Sequence, residues 1–234
     1  MTPLLVLLFG VAPTVAVGTD LWFAATTKTA GGCVHQRAKS IDWEVVGRLA
    51  TGSLPAAALT LLALHALGGS PLKGGLIIHA LGVVLILTAI AMLLRTKMHD
   101  LGKRVRRKDF ERFRAAQPTL TVCAGVLLGV LVTLTSVGAG ALGSVMLLCI
   151  YPVRMTPQRL VGTDIVHAIP LTVLAGLGHL WLGHVNFPLL GCLLLGSIPG
   201  ALIGAWASSK MPTVVIRSAL SAVLGLVAVK MLLT

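Results

Sequence analysis

Apolar runs separated by short polar connections set the pattern of this chain. The runs extend from about 1 to 12, 13 to 34, 43 to 66 and 74 to 94, then from about 118 to 137, 139 to 152, 157 to 180, 187 to 206 and 213 to 233. A helix needs about 20 apolar residues to cross the hydrocarbon core of a bilayer, so seven of these runs are expected to span it. The runs at 1–12 and 139–152 are too short to cross comfortably and read as half-helices or re-entrant pieces. Connections such as GGSPLKGG at 68–75 and KMPT at 210–213 carry the Pro and Gly of tight turns between antiparallel helices. The pattern predicts an all-α, polytopic membrane protein with about seven full transmembrane helices and two short segments.

Composition agrees, because 56% of the residues are hydrophobic and only 11% are charged. No charged residue falls between Ala115 and Val153, and only Asp164 falls between Leu160 and Ser209. The formal charge of +12 raises nucleic acid as a partner, but nine of the nineteen Lys and Arg sit in one stretch, RTKMHDLGKRVRRKDFERFR at 95–114. Between two apolar runs, that stretch reads as a basic cytoplasmic loop facing anionic lipid, and no interleaved aromatics support nucleic-acid binding. Cys33, Cys123, Cys149 and Cys192 stand singly in apolar surroundings, without disulfide or zinc spacing, and are expected as buried packing residues.

The tetrapeptide VGTD occurs at 17–20 and again at 161–164. Sliding the chain by 144 positions aligns the two copies and also brings Pro13 onto Pro157, His35 onto His179, and GSLPAA at 52–57 onto GSIPGA at 196–201. Fourteen of the 45 positions from Pro13 to Ala57 are identical in this register, which indicates two homologous halves. The helix at 118–137 and the glycine-rich SVGAGALGS at 136–144 have no counterpart ahead of Met1. Either the first half lacks its opening helix, or translation starts further upstream; the beginning MTPLLVLLF, without a basic flank, favours the second reading. The expected organisation is a first repeat over 1–94, N-terminally incomplete, a basic loop over 95–117 and a second repeat over 118–234. Arg37, Lys39, Arg154, Arg159 and Lys210 fall on connections that an inverted repeat would place on the cytoplasmic side, whereas Lys73 and Lys230 keep a parallel repeat open.

Two blocks carry a resemblance: SVGAGALGSVMLLCIYPVRMTPQRLVGTDIVHAIPLTVLAGLGHL at 136–180 and LLVLLFGVAPTVAVGTDLWFAATTKTAGGCVHQRAKSIDW at 4–43. They resemble the signature blocks of the sulfite exporter TauE/SafE family, also described as toluenesulfonate uptake permeases. The resemblance implies a multi-pass permease of the bacterial inner membrane that moves sulfite, a sulfonate or a related sulfur-containing anion.

The residues themselves point to candidate chemistry. A carboxylate at membrane depth costs roughly 2.5–3.5 kcal/mol on insertion scales and is normally kept for a bundle interior or a wet cavity, which singles out Asp20 and Asp164 with their neighbours Thr19 and Thr163. A carboxylate repels an anion, so proton coupling suits these residues better than substrate contact; capping a helix start is the structural alternative. His167 stands one turn beyond Asp164, and His35 and His179 share the repeat register. Lys28 is the basic residue best placed to attract an anion, with snorkelling to the interface as its alternative. Gly138, Gly140, Gly143 and Ser144 would expose backbone N–H groups at the start of a half-helix, an anion site, although small residues also serve close packing. No metal, cofactor or enzyme motif is expected, so an anion transporter leads and a channel or structural membrane protein is the alternative. A homodimer is left open.

Overall fold

The computed structural model describes residues 1–66, 72–108 and 110–197, together with Ser218, Ala222 and Val223. Every regular element among the described residues is helical: α1 (Thr2–Phe9), α2 (Pro13–Arg37), α3 (Trp43–Ala66), α4 (Leu72–Leu93), α5 (Arg95–Lys108), α6 (Phe110–Thr135), α7 (Ala141–Ile150), α8 (Pro157–Trp181) and α9 (Phe187–Ser197). This is a polytopic α-helical membrane protein. Three of these helices, Trp43–Ala66, Glu111–Thr135 and Pro157–Trp181, are both long and apolar enough to cross a membrane. α2 has the length, 25 residues, but its Thr, Lys and Asp side chains make it more polar, as suits a helix facing the bundle interior. Of the runs expected at 187–206 and 213–233, everything from residue 198 on lies outside the described residues except Ser218, Ala222 and Val223.

The short runs form short helices, of 8 residues in α1 and 10 in α7. The basic stretch expected as a cytoplasmic connection is itself helical, as α5 and the start of α6. It contains no proline, and its Lys, Arg and Met are good helix formers. α5 docks on the end of α7: His99 Nε2 lies 2.8 Å from the Pro152 carbonyl oxygen, and Cys149 Sγ donates to the Met98 carbonyl at 3.3 Å. The cysteines depart from expectation, since Cys33, Cys123 and Cys192 are exposed and Cys149 is half-buried, all unpaired. The three exposed ones sit on outward faces of membrane helices, where hydrocarbon solvates a thiol as readily as a protein core does.

α3 and α6 pack backbone against backbone. A Cβ on Gly52 would overlap the Val122 carbonyl, one on Gly125 would overlap Leu49, and one on Gly129 would overlap Ser53. Apolar side chains gain nothing by leaving lipid for a helix interface, so close contact between small residues supplies the association.

α2 and α8, each 25 residues and each opening with Pro at its first turn, occupy matching positions in the 144-residue register. Gly18 near the start of α2 meets the His184 carbonyl beyond the end of α8, and Gly162 near the start of α8 meets the Ser40 carbonyl beyond the end of α2. The two equivalent helices therefore run antiparallel, the relation an inverted repeat requires. The turn after α7, the end of α2 and the docked α5 gather at one end of the bundle, here called the basic end.

Candidate functional site

Each residue of the doubled VGTD has a distinct task. The glycine allows close approach: a Cβ on Gly162 would lie 2.5 Å from the Ser40 carbonyl oxygen, and one on Gly18 would overlap that of His184. The threonine hydroxyl accepts a backbone N–H from the turn of the other half, Asp42 N to Thr163 Oγ1 at 3.0 Å and Asn186 N to Thr19 Oγ1 at 3.1 Å. Thr19 and Thr163, the candidate site residues beside the aspartates, thus each bridge the two halves.

The aspartates diverge. Asp20 Oδ2 accepts from the Thr2 backbone N–H at 2.9 Å, from the Thr2 hydroxyl at 2.7 Å and from the Met1 amino group at 3.1 Å, so it caps the start of α1. Asp164 is equally buried, yet its Oδ1 has no hydrogen-bond partner among the described residues. That oxygen faces the first turn of α7, where a Cβ on Gly143 would stand 2.5 Å from it, so only glycine leaves room for the carboxylate.

The first turn of α7 is reached by an unusual path. Ser136 and Gly138 have positive φ, of 56° and 118°, and the Gly138 carbonyl accepts from both Gly140 N and Gly143 N. Gly140 gives α7 no side-chain cap, while Ser144 turns its hydroxyl back to Ala141 O at 2.9 Å. The far end of α7 is level with α6 residue Gln117, whose amide donates to Ile150 O at 2.7 Å. Ten residues rise about 15 Å, which puts the N-terminus of α7 near mid-depth in a core about 30 Å thick. The half-helix thus carries its positive dipole end into the membrane interior.

Lys28 completes the cluster. Its Nζ donates to Ala139 O at 2.6 Å, immediately before α7, so the side chain turns inward and does not snorkel. The ammonium is near enough to interact electrostatically with Asp164, Asp20 and His167. His167, fully buried, has Nε2 2.9 Å from Ser53 Oγ, while its Nδ1 has no partner among the described residues. Ser53 was not anticipated, although the GSLPAA repeat contained it. His35 and His179 stand apart from this cluster at the ends of α2 and α8, where His35 Nδ1 meets Ser40 Oγ at 2.9 Å and His179 Nε2 meets Thr133 O at 2.9 Å. A cavity of about 260 Å3 at the basic end, lined by Phe113, Arg114, Gln117, Tyr151 and Arg154, is separate from the cluster.

The chain matches the family described as Sulfite exporter TauE/SafE over residues 1–231. It belongs to the TauE/SafE family. This TauE/SafE protein is 39% identical over 212 residues to a protein of Bacillus subtilis (strain 168) named probable membrane transporter protein YjnA, covering 90% of this chain and 81% of that one. It is 30% identical over 221 residues to probable membrane transporter protein YdhB of the same organism, covering 93% of this chain and 84% of that one. No solved structure matches this TauE/SafE protein.

Proposed function

We propose that this protein is a secondary transporter of the bacterial inner membrane that moves a small sulfur-containing anion, such as sulfite or a sulfonate, together with a proton. The observation that carries this reading is the meeting of three features at mid-depth: the start of α7, which has no side-chain cap, the inward ammonium of Lys28, and the Asp164 carboxylate oxygen that has no hydrogen-bond partner among the described residues. Backbone N–H groups at a helix start and an ammonium attract an anion. A carboxylate beside them repels it unless a proton arrives as well, so Asp164 is the proton carrier, with His167 and Ser53 as the adjoining relay. The names of the relatives support transport, and the TauE/SafE family supports the sulfur-containing anion.

The positive-inside rule puts the basic end in the cytoplasm. The test is uptake of radiolabelled sulfite and of a sulfonate into proteoliposomes, with and without a pH gradient. Flux that follows the gradient is expected. Flux that ignores it removes the proton, and absence of flux for both anions removes the substrate class.

A further inference from the structure

The joint between the repeats is built twice on one plan. At the basic end, Asp42 donates its N–H to Thr163 and caps α3, its Oδ1 accepting from Val45 N at 3.4 Å. At the opposite end Asn186, the register partner of Asp42, donates its N–H to Thr19 and caps α9, its Oδ1 accepting from Leu189 N at 3.0 Å. Three residues on each side occupy equivalent positions and do equivalent work.

The copies differ in one tie. Arg154, in the turn that follows α7, grips the Asp42 carboxylate in bidentate fashion, Nε to Oδ2 at 2.6 Å and Nη2 to Oδ1 at 2.7 Å, and also reaches Glu44 at 2.6 Å. Burial works against the charge on Arg154, but its hydrogen bonds to Glu44 and Asp42 outweigh that and hold the guanidinium above its ordinary pKa. The register partner of Arg154 is Gly10, which has no side chain to offer. Asp42 is buried, and a bidentate guanidinium–carboxylate pair fixes orientation as well as distance.

The consequence is geometric. The tie connects the exit of α7, through Arg154 and Asp42, to Thr163, the residue next to Asp164. The carboxylate and the α7 turn it faces are thereby held in one frame. We propose that Arg154 and Asp42 are positioning residues that act through Thr163 to hold Asp164 Oδ1 against Gly143, and that among the described residues the end of the molecule bearing Asp20 has no equivalent tie. The inference rests on Asp164 being the working group.

The test reads Asp164 directly and needs no transport. Purified protein in proteoliposomes is treated with dicyclohexylcarbodiimide, which modifies buried carboxyl groups, and the rate at Asp164 is followed by mass spectrometry across pH. Arg154→Gln and Asp42→Asn are expected to change that rate several-fold and to displace its pH profile. The charge-reversed pair Asp42→Arg with Arg154→Asp is expected to restore both, and Thr19→Val, at the untied joint, to leave them as in the wild type. If Arg154→Gln folds and labels with the wild-type rate and pH profile, the proposal is overturned. If it does not fold, Asp42→Asn, which keeps the N–H donated to Thr163, decides the matter in the same way. Failure of anion flux with these labelling changes intact would count against the transport reading and not against the tie.

Discussion

At the scale of single residues, the same acid plays two parts. Asp20 spends its carboxylate on the start of α1, whereas Asp164 keeps one oxygen, beside Gly143, without a hydrogen-bond partner among the described residues. Asp164→Asn is therefore expected to leave the protein folded and to abolish the response of flux to a pH gradient, measured in proteoliposomes. Asp20→Asn should instead act on stability, weakening the α1 cap by about 0.5–2 kcal/mol in denaturation measurements. Removing the ammonium in Lys28→Met should raise the half-saturating anion concentration about 10- to 100-fold, equivalent to one lost charge-assisted contact of about 1.5–3 kcal/mol. Asp20, Asp164 and Lys28 were legible as intramembrane charges because any such charge in an apolar run is conspicuous. Which aspartate was capped was not legible, since the deciding partners, Thr2 and Gly143, come from other helices.

At the scale of elements, boundaries followed the apolar pattern closely: the runs at 43–66 and 157–180 became Trp43–Ala66 and Pro157–Trp181. The basic stretch at 95–108 escaped that pattern, because positive charge marks a cytoplasmic connection without saying whether it is coiled or helical. The glycines of α3 and α6 mark the tightest contact in the bundle, so Gly125→Leu is expected to destabilise the protein by about 1–3 kcal/mol, read from thermal melting in detergent. Gly143→Ala tests a different property. Its methyl group would intrude on Asp164 Oδ1, so flux should fall while the melting temperature holds.

At the scale of the whole molecule, the antiparallel α2 and α8 make the repeat an inverted one for that pair, and the basic connections fall at one end. Cysteines introduced at Lys97 and at Val185 should therefore react with a membrane-impermeant maleimide from opposite sides of the membrane. Labelling from the same side would contradict the orientation. Sequence alone determined that this chain lives in a bilayer, that it is doubled, and where most of its apolar helices and intramembrane charges lie, because hydrophobic length and repeat register are properties of the chain read in order. Only the tertiary structure decided that Thr19 and Thr163 join the halves, that Ser53 holds His167, and that Arg154 braces Asp42. Each of those contacts spans more than a hundred residues of chain, and a hydrogen bond depends on distance in space, about which local sequence is silent.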